Sequence, residues 1–196
     1  MGKAKLHFAG ILIIIIIALA GVGQEDAAIF YASAYGFLAL VSVIFVVSIP
    51  ILAKVRSKFT LYLLGNRRWI GIYTFVFAII HFVVVMHFFF SWDFSSALNN
   101  TYRFLGLIAL LILAAMTATS TNTAMRKMGR NWKRLHYLVY VALVVVIIHS
   151  FNLGLLVLNN NTTKTAVVII VIIIISWKIY VKFRKNAPKA AEPQAL

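Results

Sequence analysis

Long apolar runs separated by short, mostly basic segments are the dominant pattern of the chain. A membrane-spanning helix needs about 20 predominantly apolar residues, and six segments reach or approach that length. They are residues 7–23, 28–53, 69–91, 102–121, 135–156 and 165–182. The pattern predicts an all-α integral membrane protein, with a six-helix bundle in residues 1–183 and a Pro/Ala-rich, disordered tail in residues 184–196.

Two of these segments need a choice between structures. The last contains VVIIVIIIIS, a β-branched run that favours strand in water. Within lipid only a helix satisfies its own backbone, so we predict a helix there. The first, MGKAKLHFAGILIIIIIALA, is short and resembles a signal peptide with Ala18-Leu19-Ala20 as a candidate cleavage site. A retained first span is the favoured interpretation, and the signal peptide is the alternative.

Composition supports the membrane assignment and excludes several chemistries. Hydrophobic residues make up 63% of the 196, charged residues 12%, and the mean hydropathy is +0.96. A soluble domain of this size cannot bury that much apolar surface. The chain has no cysteine, which excludes disulfides, thiol catalysis and cysteine-ligated metal centres.

The formal net charge of +15 reflects where the basic residues lie. They cluster before span one, between spans two and three, between spans four and five, and after span six. With six spans all these segments lie on one side, which the positive-inside rule makes cytoplasmic. We therefore predict a multi-pass protein of the bacterial cytoplasmic (inner) membrane with both termini inside. Topology and contact with membrane lipid explain the charge, so no nucleic-acid partner is expected.

Two histidines lie at matching depths in the predicted bundle. His81 is thirteen residues past Arg68 and His149 fifteen past Arg134, which places them roughly 20 and 22 Å from the cytoplasmic edge. Two neutral imidazoles at one level can ligate a haem iron from both sides. His136 lies near the cytoplasmic edge and is a candidate ligand of a second haem. A thirteen-residue step turns a helix by about 220°, so a tilt or irregularity must bring His136 and His149 into line.

Other roles for membrane histidines stay open at this point. Such a residue commonly bonds a hydroxyl or carbonyl of a neighbouring helix, the favoured interpretation for His7 and His87. A proton relay usually includes carboxylates within the membrane. The four acidic residues all lie in predicted loops or the tail, which disfavours a relay. A transporter without a cofactor is a further alternative and predicts a colourless protein.

Residues 67–149 carry motifs that resemble a known family. RRWIGIYTFVFAIIH is followed by TST at the end of span four, RKMGRNWKRLH at the start of span five, and a second histidine thirteen residues later. This combination resembles the haem-binding membrane subunits of methionine sulfoxide reductase systems (MsrQ), within the ferric reductase-like transmembrane superfamily. The resemblance implies one or two non-covalent haem b groups, with His81, His136 and His149 as the residues linked to haem iron.

The resemblance also implies a direction of electron flow. Electrons would pass from a cytoplasmic flavin reductase or quinol to a periplasmic molybdopterin reductase that repairs oxidised methionine. The alternative is a ferric or oxygen reductase component fed by a separate flavoprotein. The sequence departs from the family at ALNNTYRF before span four, which leaves the periplasmic contact open. Related oxidases carry two histidine pairs, whereas here no partner of His136 is visible.

Hydride transfer from a nucleotide is expected in another protein. No GxGxxG motif is present, and about a dozen residues follow the last span. Basic and aromatic residues near the cytoplasmic edge are candidate contacts for haem propionates, for the phosphate of FMN as a second cofactor, or for an acidic partner. They are Arg67, Arg68, Arg130, Trp132 and Arg134. Plain membrane topology remains the alternative explanation for all five.

Overall fold

The computed structural model describes residues 2–154 and 156–186. Residues 187–196 of the predicted tail lie outside the described residues. The helices are α1 Gly2–Ala20, α2 Ala27–Leu52, α3 Lys58–Phe90, α4 Phe94–Leu98, α5 Thr101–Ala118, α6 Asn122–Met128, α7 Arg130–His136, α8 Leu138–Leu153 and α9 Asn161–Asn186. Two 3₁₀ turns, Ala53–Val55 and Leu156–Asn159, follow α2 and precede α9.

The all-α prediction is confirmed, and the six predicted spans have counterparts among the described residues. Five helical segments are long and apolar enough to cross a membrane, and a shorter apolar helix covers Ala4–Ala20. The β-branched run near the end is helical in α9. The strand tendency of Val and Ile is thus overridden where a helix alone satisfies the backbone.

Helix α1 is attached to its neighbours by tyrosine hydroxyls. Tyr31 donates to Ala18 O at 2.9 Å, and Tyr35 donates to Ile14 O at 3.2 Å. On α3, Tyr73 lies 3.1 Å from Nδ1 of His7. His7 therefore does what the sequence interpretation expected, bonding a side chain of a neighbouring helix.

Helix α3 extends beyond the predicted third span, which starts at residue 69, on its N-terminal side. Helix α3 begins at Lys58, with the Ser57 hydroxyl accepting from the Thr60 N–H at 3.1 Å as an N-cap. Lysine and arginine are good helix formers, so the capped helix runs through the basic segment that the hydropathy pattern assigned to a loop. As a result Arg67 and Arg68 lie inside α3, where their side chains reach the bundle.

The basic segment before α8 is also helical rather than a loop. Thr121 caps α6 by accepting from the Ala124 N–H at 3.1 Å, and Gly129, with φ of 50°, separates α6 from α7. A second break at Tyr137 separates α7 from α8. This joint directly follows His136, but Tyr137 keeps α-helical dihedral angles and its N–H still bonds Lys133 O at 3.1 Å, so the expected tilt or irregularity between the two histidines stays a prediction.

The apolar core joins α2, α5, α8 and α9. Its buried members are Val43, Val47, Leu113, Val139, Leu143, Val167, Val171 and Ile174. Two cavities lie along this core, and Val43 and Leu113 line both of them. The cavities are therefore neighbours, separated by a thin layer of side chains.

Candidate functional site

The larger cavity, called here the His81–His149 cavity, lies between α2, α3, α5 and α8. Its volume is about 280 Å³ and its walls are mostly apolar, with phenylalanine side chains at several positions. Polar atoms in the lining come from few side chains. These are Ser33, His81, Arg103, His149 and Ser150. Such a site suits a large apolar group that needs a small number of polar anchors.

The two histidine rings face each other across this cavity. Their centroids are 6.3 Å apart and the ring planes are nearly perpendicular, at 85°. An imidazole nitrogen binds a transition metal at about 2 Å, so rings on opposite sides of one iron have centroids roughly 6 Å apart. The spacing of His81 and His149 fits two axial ligands of a haem iron.

The hydrogen bonds of the rings select the nitrogen that is available to a metal. Nδ1 of His81 lies 2.8 Å from Ala32 O, and Nδ1 of His149 lies 2.8 Å from Tyr102 O. A carbonyl oxygen only accepts, so each Nδ1 carries the proton and donates it. In each neutral ring Nε2 then keeps its lone pair, which is the form that ligates iron.

The smaller cavity, called here the His136 cavity, has a volume of about 200 Å³. Nδ1 of His136 donates to Trp132 O at 3.1 Å, and the two rings stack with centroids 4.0 Å apart. Ser120 Oγ lies 3.5 Å from His136 Nε2, but it donates its proton to Met116 O at 2.7 Å. Nε2 of His136 is therefore available to a bound group as well.

The predicted basic contacts divide into two sets. Arg67 and Arg68 line the His136 cavity together with Trp132. Arg67 Nε donates to Val46 O at 3.1 Å, and Arg68 Nη1 donates to Asn122 Oδ1 at 2.6 Å. Neither forms an ion pair within residues 2–154 and 156–186. Arg130 and Arg134 are exposed and do not line this cavity.

Arg103 and Ser33 of the His81–His149 cavity were not among the residues predicted from the sequence. Arg103 lines the cavity and donates to Ala97 O at 2.7 Å and Ser96 O at 3.2 Å. Ser33 Oγ lines the same cavity, is buried, and has no hydrogen-bond partner among the described residues. A bound group with anionic or polar substituents would satisfy both, which is a further fit to haem and its propionates.

His87 is not part of either cavity. It lies on α3 beyond His81, is exposed, and packs its ring against Phe88 with centroids 4.8 Å apart. The structure thus brings together His81 and His149, gives His136 a separate cavity, and leaves His7 and His87 outside both.

The part of the chain that forms most of both cavities matches a known protein family. The family model "Ferric reductase like transmembrane component" matches residues 33–147, which is more than half of the chain. The chain belongs to this family. The matched range holds most of α2, all of α3 to α7 and most of α8, and includes His81 and His136; His149 lies two residues beyond it.

Curated proteins from several Brucella species also match the chain. The chain is 30% identical over 109 residues to proteins of Brucella ovis, Brucella canis and Brucella suis, each named as the haem-binding subunit MsrQ of a protein-methionine-sulfoxide reductase. The alignment covers 54% of this chain and 50% of each relative. The chain thus spans about half the length of the curated relatives that it matches. No solved structure matches it significantly.

Proposed function

We propose that the chain is a haem b membrane subunit that carries electrons across the inner membrane to a methionine sulfoxide reductase. The observation that carries this proposal is the His81–His149 pair, with rings 6.3 Å apart across an apolar cavity. The name of the Brucella relatives, the haem-binding subunit of a protein-methionine-sulfoxide reductase, supports both the haem and the reductase. The acceptor would be a periplasmic molybdopterin enzyme.

Haem bound in the His81–His149 cavity would supply a reversible one-electron carrier. His81 and His149 would hold the iron through Nε2, while the apolar walls exclude water. The Arg103 guanidinium would compensate an anionic propionate, because no acidic side chain pairs with it within the described residues. Ser33 Oγ is available for a further hydrogen bond.

The His136 cavity would hold a second haem, with His136 as one ligand. Arg67 and Arg68 would compensate its propionates, or the phosphate if the second cofactor is FMN. The two cavities share Val43 and Leu113 in their walls. Groups bound in them would be close neighbours, as a chain of electron carriers requires.

The distribution of basic residues supports the proposed direction of electron transfer. The basic residues around the His136 cavity and on α6 and α7 mark the side that the positive-inside rule makes cytoplasmic. A cytoplasmic flavin reductase or quinol would deliver electrons there, and both termini would lie on that side. The His81–His149 cavity lies toward Asp93 and α4, on the opposite side.

The first experiment is a spectrum of the protein purified in mild detergent, oxidised and dithionite-reduced, with a haem-to-protein ratio. We expect reduced b-type bands. His81→Ala and His149→Ala should each lose one haem, and His136→Ala should lose the other. His87→Ala is the matched control, since this exposed histidine on α3 contacts neither cavity. A colourless protein that stays colourless after haem is added would refute the proposal.

A second candidate function is favoured by the family itself. The matching family is described as a ferric reductase-like component, so the acceptor could be ferric iron or oxygen, with a separate flavoprotein as donor. Reduction of ferric chelates by the purified protein and a generic flavin reductase would support this alternative. Dependence on an added methionine sulfoxide reductase, with no activity on ferric chelates, would favour the first.

A further inference from the structure

Each of the two facing histidines packs against a glycine of a neighbouring helix. A Cβ added to Gly36 on α2 would lie 2.9 Å from Nδ1 of His81. A Cβ added to Gly106 on α5 would lie 2.6 Å from Nδ1 of His149. Real Cβ atoms almost never approach so closely, so the rings occupy space that only glycine leaves free.

Each glycine lies four residues after the residue whose carbonyl accepts the hydrogen bond from the histidine ring. Ala32, which accepts from His81, lies four residues before Gly36; Tyr102, which accepts from His149, lies four residues before Gly106. In a helix the carbonyl of residue i already accepts from the N–H of residue i+4. It has a second lone pair, but the side chain of residue i+4 points back toward the helix N-terminus and covers that turn.

We infer that Gly36 and Gly106 are positioning residues for the two haem ligands, an inference that rests on the proposed function. By lacking a side chain, each uncovers the second lone pair of a helix carbonyl. The Nδ1–H of the facing imidazole then bonds it. The bond fixes the ring orientation and the tautomer, so that Nε2 meets the iron. A hydrogen bond to Nδ1–H also makes the ligand more basic, which stabilises ferric over ferrous iron.

Other glycines of the chain provide contrasts. Gly10 on α1 and Gly21 just after it give similar space to the rings of Tyr73 and Tyr31, and so attach α1 to the bundle rather than position a ligand. Among the described residues, no atom outside its own helix lies within 4 Å of a Cβ added to Gly65 on α3. Gly65→Ala is therefore a matched control, because it makes the same chemical change within a helix that carries one of the two histidines but meets no ring.

The test compares Gly36→Ala, Gly106→Ala and Gly65→Ala in the full-length haem protein. Loss of a ligand's outer hydrogen bond commonly costs about 10- to 100-fold in metal affinity, and we expect such a loss of haem affinity in the first two variants. The effect should be larger in Gly106→Ala, where the contact is closer. Gly65→Ala should bind haem as the wild type does.

Two further readouts separate positioning from folding. Haem retained in Gly36→Ala or Gly106→Ala should show a changed low-spin electron paramagnetic resonance signal. Its midpoint potential should rise by about 59 mV for each tenfold decrease in the preference of the site for ferric over ferrous haem. Lower haem content with unchanged signal and potential would mean that the glycines only make room for the porphyrin, and would overturn the inference.

The inference and the proposed function fail in different ways. A wild-type protein that binds no haem overturns both. A wild-type haem protein whose glycine variants keep affinity, signal and potential overturns only the inference. If the variants do not fold, ¹⁵N-histidine NMR of the reduced wild-type protein decides: the Nδ1–H proton of each iron-bound ring should resonate downfield and exchange slowly with water, as a hydrogen-bonded proton does. Rapid exchange of either proton would refute the proposed bonds.

Discussion

Trp132 offers a quantitative test of the His136 cavity. Its indole Nε1 donates to Thr119 O at 3.0 Å, which ties α7 to the end of α5. Its ring stacks on His136, with centroids 4.0 Å apart and planes 27° apart. Trp132→Phe removes the hydrogen bond but keeps an aromatic ring, whereas Trp132→Ala removes both contacts.

The two variants should differ in size of effect. A net hydrogen bond contributes about 1 kcal/mol, so Trp132→Phe should weaken haem binding in the His136 cavity about fivefold. An aromatic pair adds about 0.5–1.5 kcal/mol. Trp132→Ala should therefore weaken binding roughly 10- to 100-fold, since 1.4 kcal/mol corresponds to about a tenfold change.

The assay is haem titration of the purified protein, with His136→Ala defining the signal without this haem. Trp177→Phe is the control, because Trp177 lies on α9 and contacts Lys54, not the cavity. Trp132→Ala with wild-type affinity would show that the stack does not position His136. Equal losses in the Phe and Ala variants would assign the whole effect to the hydrogen bond.

Three further outcomes are expected. Arg103→Gln should lower haem retention in the His81–His149 cavity more than Arg103→Lys, measured as the haem-to-protein ratio, because the lysine keeps the charge; equal retention in both would remove its role as counter-charge. Leu143→Ala should cost about 2–5 kcal/mol of unfolding free energy in detergent, since Leu143 is 0% exposed in the core; a much smaller loss would mean that the core relaxes around it. Hydrogen bonds from the Ser96 side chain and N–H hold the pKa of Asp93 below its ordinary 3.8. The N-cap of α4 should therefore be present above that lowered pKa and be lost as the pH falls through it. Trp92 fluorescence should report the loss, and Asp93→Asn should abolish the pH dependence.

That His81 and His149 lie at one level of the bundle was predictable from the sequence, because the level depends on local quantities. Basic residues mark the membrane edge, and a fixed rise per residue then gives the level of each histidine. That reasoning put His81 and His149 at one level, and the rings face each other in the structure. It did not predict that α3 begins eleven residues before the span, since the Ser57 cap and the helix-forming lysines and arginines extend the helix past the hydropathy boundary.

The rotation of each helix was much harder to predict. Helices that are apolar on every side have no hydrophobic face, so periodicity does not tell which residues point inward. The carbonyl partners of His81 and His149 and the place of Arg103 in the cavity wall depend on rotation and packing. None of them follows from spacing along one segment.

Some information about rotation is nevertheless present in the sequence, in its small residues. Membrane helices approach each other most closely where side chains are absent or small. Gly36 and Gly106 lie on the faces of α2 and α5 that meet the two histidines, although neither stands out in the hydropathy pattern. In this bundle the basic residues indicate how deep each residue lies, and the glycines at helix contacts indicate how each helix is rotated. Gly65 is a contrast, because among the described residues no side chain of another helix lies within 4 Å of its added Cβ. A glycine therefore indicates which face of a helix points inward only where a side chain of a neighbouring helix packs against it.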